Sequence, residues 1–182
     1  MMYRIICGDP GRSKDPFGIV GVEYDTMESI IRIKFADRFK DKPFIYVAQQ
    51  MYPFVQRVNP HYLCLETNNE GKQAIQAFKD AGLVNVLGIN TVSNLSGKNW
   101  DTKFDSMDKN RTTMVLNDLI KTEKLTFPRY ATPEIRELVN ELNQIESKIT
   151  ESGKVSYRAR SSRHDDLYMA LLLCIHVVRH IR

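Results

Sequence analysis

The first forty residues alternate apolar and polar positions in a way that predicts strands. Residues 3–8 form an apolar run, a turn follows at Asp9-Pro10-Gly11, and β-branched residues resume over 17–22 before a turn near residue 25. A third strand is predicted over 30–39, where apolar and polar side chains alternate with a period of two. One face of this strand would carry Ile31, Ile33 and Phe35, and the other would carry Arg32, Lys34 and Ala36. The pattern therefore predicts three antiparallel strands at the start of the fold.

The next segments alternate helix and strand. An amphipathic helix is predicted over 43–58, with a kink or break at Pro53. A short apolar strand over 61–67, a helix over 71–81 closed by Gly82 and a strand over 84–89 follow it. Strand-helix-strand order implies parallel pairing through right-handed crossovers. Residues 92–107 are predicted to form an irregular connection.

The C-terminal third is predicted to consist of helices and one hairpin. Helices over 108–123 and 133–146 flank a short apolar segment at 125–128, and Thr132-Pro133 supplies an N-cap with proline at the first helical position. Residues 147–160 fit a β-hairpin with its turn at 151–154, and the last helix runs from Asp165 to His180. The chain is therefore predicted to be one α/β domain over 1–182, with a mixed central sheet flanked by helices and a β-hairpin before the last helix.

The composition narrows the class of protein. The 182 residues are enough for one domain with a substantial core. No apolar stretch reaches membrane-spanning length, and the N-terminus lacks a secretory signal pattern, so we expect a cytoplasmic protein with no membrane partner. The three cysteines, Cys7, Cys64 and Cys174, lie in apolar runs outside any CxxC spacing and are expected to be reduced core thiols.

Carboxylates stand at the ends of three elements that are predicted to be buried. Asp9 follows the first strand, Glu66 follows the fourth, and the pair Asp165-Asp166 opens the last helix. A charge at the end of a buried element costs solvation free energy unless a cation compensates it. If these three ends converge, the carboxylates would bind divalent metal, because hard oxygen ligands suit hard cations.

Each acid also has a purely structural explanation. Asp9 could fix the Asp-Pro-Gly turn, Glu66 could pair with an arginine, and Asp165 could serve only as an N-cap. The joint occurrence of the three at element ends favours the metal site.

Basic residues gather near these acids. The net charge is +4 and the pI is about 8.9, so the total is only mildly basic. The distribution indicates phosphate binding more strongly than the total does. The candidate phosphate contacts are Arg12, Lys14, Lys98, Lys103, Lys154, Arg158, Arg160 and Arg163.

The motifs together resemble the C-terminal nuclease domain of the large terminase subunit of tailed viruses, a ribonuclease H-like fold. The matching segments are residues 7–11, residues 63–68, and residues 163–167 with Ala170-Leu171. The resemblance covers essentially the whole chain, and the His-Asp-Asp motif is its most specific part. Glu66 stands where many relatives carry Asp, which is a minor departure.

The resemblance implies a metal-dependent endonuclease that cuts viral DNA concatemers. Two Mg²⁺ or Mn²⁺ ions would activate water and neutralise the leaving oxygen of a phosphodiester. Asp9 would bridge both ions, Glu66 would hold one, and Asp166 with Asp165 beside it would hold the other. Which of the adjacent pair ligates stays open, although Asp166 is preferred because it lies above the apolar stripe of the helix.

Two further residues have auxiliary roles in this hypothesis. Asp15 matches an extra acid of some terminases and is a weak candidate ligand, although an exposed loop carboxylate explains it better. His164 could orient water or contact phosphate, or simply form a hydrogen bond at the helix entrance.

The resemblance also implies partners. These are double-stranded DNA, a terminase ATPase domain, the small terminase subunit and the portal. No GxxxxGK[ST] phosphate loop occurs in the 182 residues, so an ATPase motor is not expected within them. The alternatives are another ribonuclease H-like nuclease, such as a Holliday-junction resolvase, and a non-catalytic nucleic-acid-binding module.

Overall fold

A computed structural model of the chain describes residues 1–11, 15–68, 70–91, 104, 106–149, 155–159 and 165–181. Six strands form one sheet in the order β5-β4-β1-β2-β3-β6, and two more form a separate hairpin. The sheet strands are β1 Met2–Asp9, β2 Phe17–Asp25, β3 Ile30–Phe39, β4 Tyr62–Glu66, β5 Val86–Ile89 and β6 Leu125–Thr126. The hairpin strands are β7 Ile145–Ile149 and β8 Val155–Ala159. The helices are α1 Phe44–Val58, α2 Gly71–Asp80, α3 Lys109–Lys121, α4 Pro133–Asn143 and α5 Asp166–His180.

The pairing confirms the predicted mixed sheet. β1, β2 and β3 pair antiparallel, whereas β4 pairs parallel to β1 and β5 parallel to β4. The short β6 adds parallel to β3 at the other edge. The β7–β8 hairpin precedes α5, as the sequence predicts.

Helices cover both faces of the sheet, and each covered face has its own core. α1 and α2 pack on one face, over a core that includes Ile6, Leu65 and Phe78. α5 lies on the other face against β1 and β2, with α3 and α4 beside it. Because α5 is apolar around nearly its whole circumference, Asp166 through Val178 are all buried. The helix is thereby fixed directly against the strand that carries Asp9.

A β-bulge changes the predicted pattern of β3. Gly21 pairs with Phe35 while the next residue, Val22, pairs with Ile33, so Lys34 is the extra residue. The extra residue reverses which face the following side chains occupy. Phe35 therefore packs on the α1 face, where its ring centroid lies 4.5 Å from that of Phe54, and not with Ile31 and Ile33. The prediction of one unbroken alternation was wrong after Lys34.

Several predicted boundaries also differ. α1 is one helix that contains Pro53 at an exposed position, so the predicted break does not occur. α4 ends at Asn143, since Ile145 already pairs with Ala159 in the hairpin. The predicted irregular connection over 92–107 and the hairpin turn over 151–154 lie largely or wholly outside the described residues.

Two predictions, on membrane-spanning segments and on the cysteines, can be compared with the described part of the chain. None of its helices combines the length and the apolar character needed to span a bilayer. Cys7, Cys64 and Cys174 are free thiols and are buried, as predicted.

Candidate metal centre

The register of β1 and β4 brings Asp9 and Glu66 to the same edge of the sheet. Cys7 pairs with Cys64 and Gly8 with Leu65, so the next step along both strands sets Asp9 beside Glu66. Both acids lie two residues beyond a cysteine of the core on the α5 face. Since side chains alternate along a strand, both carboxylates project toward that helix.

Asp9 is a buried acid with an unfavourable charge environment. Burial raises the pKa of the Asp9 carboxyl well above its usual range, and the adjoining Glu66 raises it further through charge repulsion and a shared hydrogen bond. The backbone N–H of Gly11 donates to Asp9 Oδ1 over 3.1 Å, which opposes this rise. Asp9 therefore fixes its turn and also lies next to a second carboxylate. A bound cation would reduce the repulsion between the two charges.

Glu66 is oriented by two donors. Asn68 Nδ2 donates to Glu66 Oε1 over 3.1 Å, and the hydroxyl of Thr91 donates to the same oxygen. Gly71 allows α2 to begin directly against this strand end, because a Cβ there would lie 1.9 Å from the carbonyl oxygen of Glu66. The Glu66 carboxylate is thus held from one side.

Asp166 reaches the same edge through a close approach between α5 and β2. Gly18 pairs with Asp9, and a Cβ on Gly18 would lie 2.6 Å from the carbonyl carbon of Asp166. The helix can start this close to the sheet only because residue 18 has no side chain. The charge of Asp166 contributes to the raised pKa of Asp9, so three acids from three elements interact.

The carboxylate of Asp166 is also bound by an arginine that the sequence did not indicate. Arg38 Nε donates to Asp166 Oδ2 over 2.8 Å, and Arg38 Nη2 donates to Glu141. Glu141 Oε2 in turn accepts the backbone N–H of Tyr168 over 2.7 Å. The first turn of α5 is therefore capped by an acid from α4.

Asp165 occupies a different environment from its neighbour. It is the N-cap residue of α5, but its side chain makes no capping hydrogen bond. Its carboxylate pairs with Lys109 Nζ over 3.0 Å and is about one-third exposed. The side chain of Asp165 therefore does not act as an N-cap, and of the adjacent pair Asp166 is the one whose charge acts on Asp9.

The structure describes only two of the other predicted site residues, Asp15 and Arg158. Asp15 lines a cavity of about 540 Å³ together with Pro10, Phe17 and Glu70. The backbone of Arg158 pairs with Glu146 in the hairpin. The remaining predicted residues lie outside the described ranges: Arg12, Lys14, Lys98, Lys103, Lys154, Arg160, Arg163 and His164.

Sequence reasoning missed Glu141 and Arg38, and only Glu141 is indicated by the hydrophobic pattern of the sequence. Glu141 lies on the stripe of α4 that carries Ile135 and Leu138, and a charge on an apolar stripe is visible in the sequence. Arg38 gives no such signal, because only the bulge in β3 turns it toward α5.

The carboxylates fit a divalent cation by their chemistry, although the described side chains do not form a complete coordination site. Within the described ranges, no three His, Cys, Asp or Glu side chains are close enough together to hold one metal ion. The hard carboxylate oxygens of Asp9 and Glu66 lie close together and repel each other. A divalent cation bound between them would remove this repulsion. Asp166, bound by Arg38, would have to supply the third carboxylate.

Comparison with known proteins decides the family. The family model described as the terminase RNaseH-like domain matches residues 6–177. The chain belongs to this terminase family. No curated protein sequence matches the chain significantly.

Solved structures of terminase nuclease domains share the fold. The large terminase nuclease from thermophilic phage G20c, with bound magnesium, is 18% identical with a TM-score of 0.70, over 96% of this chain and 80% of that one. The nuclease domain of the large terminase subunit gp2 of bacterial virus Sf6 is 12% identical with a TM-score of 0.70, over 96% and 88%. The P22 large terminase nuclease domain is 11% identical with a TM-score of 0.64, over 98% and 82%. These similarities confirm the ribonuclease H-like fold of the terminase chain.

Proposed function

We propose that this terminase domain is a divalent-metal-dependent endonuclease that cuts double-stranded viral DNA during genome packaging. The observation that carries the proposal is the contact between the buried carboxyl of Asp9 and the partly buried carboxyl of Glu66, with the charge of Asp166 also acting on Asp9. Like charges that are buried close together repel each other, and a bound cation neutralises them. Such a cluster therefore favours cation binding.

The proposed ligands are Asp9, Glu66 and Asp166, and the proposed cofactor is a pair of Mg²⁺ or Mn²⁺ ions. Asp9 stands between the other two acids and suits a bridging position. When bound, the ions would activate the attacking water and stabilise the leaving oxygen. Solved relatives bind such ions: the G20c nuclease holds magnesium or cobalt, and a K428A variant of the Sf6 domain holds manganese.

The family supports the biological setting. Large terminase subunits act in DNA packaging, so we infer that this domain works with an ATPase domain, a small terminase subunit and a portal in the host cytoplasm. The DNA contacts proposed on basic residues would be mainly to phosphate, so cleavage should show little sequence preference.

Supercoiled plasmid tests the proposal. The purified chain is incubated with Mn²⁺, Mg²⁺ or EDTA, and nicked and linear products are measured. We expect nicking and linearisation in metal and none in EDTA. A folded protein that binds DNA without cutting it in either metal contradicts the nuclease proposal and favours a binding module. Preferential cutting of four-way junctions over linear duplex would favour a resolvase.

The adjacent aspartates should differ in the same assay. We expect Asp166→Asn to reduce cutting to the level seen in EDTA, because its charge acts directly on Asp9. Asp165→Asn makes the same chemical change one residue away, on a carboxylate that pairs with Lys109, and should retain cutting within about tenfold. Equal losses in the two variants would contradict the assignment of Asp166 as the ligand.

A further inference from the structure

Arg38 links Asp166 to a second buried acid through separate nitrogens of one guanidinium. Nε donates to Asp166 Oδ2 over 2.8 Å, and Nη2 donates to Glu141 Oε1. Both carboxylates are buried, and the Arg38 side chain is only 19% exposed. The two interactions therefore lie in a poorly solvated region, where ion pairs are screened weakly.

Glu141 is itself fixed, so the arginine has a rigid anchor. Its other oxygen, Oε2, accepts the backbone N–H of Tyr168 over 2.7 Å. The backbone amide belongs to the first turn of α5, the same turn that carries Asp166. A chain of hydrogen bonds therefore links Tyr168 of α5 to Glu141 of α4, Glu141 to Arg38 of β3, and Arg38 to Asp166, which is again in α5.

The bulge in β3 gives this arrangement its geometry. Without the extra residue Lys34, the regular alternation of β3 would place Arg38 on the α1 face of the sheet, away from α5. Bulges near active sites commonly redirect a side chain in this way. Gly18 completes the approach by letting the start of α5 lie against β2.

We propose that Arg38 and Glu141 are positioning residues that hold the Asp166 carboxylate in the orientation required to bind metal. The inference rests on the proposed function, because it takes Asp166 to be a metal ligand. Hydrogen-bond partners that orient a ligating carboxylate set its geometry, and losing one costs about 10- to 100-fold in metal affinity or activity. A planar guanidinium can serve two carboxylates at fixed angles, whereas a lysine ammonium acts as a point charge.

Arg38→Lys is the primary test, because it keeps the net charge and removes the two-armed geometry. Mn²⁺ binding is measured by electron paramagnetic resonance of the free ion, without DNA, at a temperature where circular dichroism shows both proteins folded. We expect Mn²⁺ to bind about 10- to 100-fold more weakly than to wild type. Plasmid cutting should fall correspondingly and recover in part as Mn²⁺ is raised.

Glu137→Gln is the matched control. Glu137 Oε1 lies 3.5 Å from Nη1 of the same arginine, but its side chain is about half exposed. We expect Mn²⁺ affinity and cutting to stay within about twofold of wild type, because exposed pairs contribute little. If Arg38→Lys does not fold, Glu141→Gln replaces it: the amide oxygen can still accept the Tyr168 N–H, while the charge that anchors Arg38 is lost.

The results separate this inference from the proposed function. Wild-type Mn²⁺ affinity in a folded Arg38→Lys protein, or in a folded Glu141→Gln protein, would overturn the positioning role even if the wild-type enzyme cuts DNA. A wild-type chain that binds Mn²⁺ but cuts no DNA would refute only the nuclease, and the affinities would still decide the role of Arg38. A wild-type chain that binds no Mn²⁺ would overturn both.

Discussion

Asp9→Asn should abolish metal-dependent DNA cutting and, in EDTA, raise the melting temperature of the protein. The asparagine keeps an oxygen that can accept the Gly11 N–H, so the turn is preserved. It removes the charge that Glu66 and burial oppose, and its amide can donate to Glu66. Cutting should fall to the EDTA level because an amide is a poor replacement for the carboxylate proposed to bind metal.

The gain in stability should depend on pH with a definite sign. Asp9 has a raised pKa in the folded protein, whereas in the unfolded chain it ionises near pH 3.9. Below that pH both states are protonated and Asp9 costs nothing. As pH rises toward the folded-state pKa, the unfolded state loses its proton first, so the wild-type protein loses stability.

Thermal unfolding in EDTA at pH 5 and pH 8 measures this effect. We expect the melting temperature of Asp9→Asn to exceed that of wild type by at least about 2 °C at pH 8, with a smaller difference at pH 5. Asp118→Asn, on an exposed position of α3, is the control and should change neither cutting nor melting. A less stable Asp9→Asn protein at pH 8, or one that still cuts DNA in metal, would refute the buried acidic centre.

Gly18→Ala should destabilise the protein and disable cutting together. The added Cβ would lie 2.6 Å from the carbonyl carbon of Asp166 and 2.9 Å from the backbone nitrogen of Leu167. Backbone atoms cannot rotate away, so α5 must move relative to β2. We expect a loss of about 1 to 3 kcal/mol in the free energy of unfolding, typical of overpacking. Displacing Asp166 by about 1 Å should cost about 100-fold in cutting rate.

Gly82→Ala provides a control away from the bulge and the acids. Gly82 has a φ of 95°, which strains an L residue, and an added Cβ would lie 3.1 Å from a ring atom of Tyr52. We expect comparable destabilisation in urea unfolding, but nearly wild-type cutting at a temperature where the variant is folded. Equal losses of cutting in both variants would mean that stability, and not the placement of α5, accounts for the effect of Gly18→Ala.

The residues that could be predicted from the sequence are those whose placement depends on local pattern. Asp9 and Glu66 end strands whose alternation and parallel pairing follow from the order of elements, so their convergence could be anticipated. The preference for Asp166 over Asp165 was drawn from the face of a helix, and it stays a prediction. The fold and the family followed from the same motifs, and the comparisons confirm both.

The part that could not be predicted depends on contacts between distant elements. Arg38 turns toward α5 because of one extra residue in β3, and nothing in an alternating pattern marks where a bulge occurs. Asp165 has the residue type and position of an N-cap, yet Glu141 from another helix takes the capping hydrogen bond. Such competition between acceptors is settled by tertiary packing and not by propensity.

The three buried cysteines also allow the separation of α5 from the sheet to be measured. Cys7 and Cys64 are paired across β1 and β4, and Cys174 of α5 lies against them. Burial, reinforced by Cys174 and Cys64, raises the pKa of the Cys7 thiol, so it should be inert to thiol reagents while the helix is docked. The rate of thiol labelling would then time how often α5, with Asp166 at its head, separates from the sheet. A single cysteine introduced on the surface could carry a fluorophore without removal of the native three.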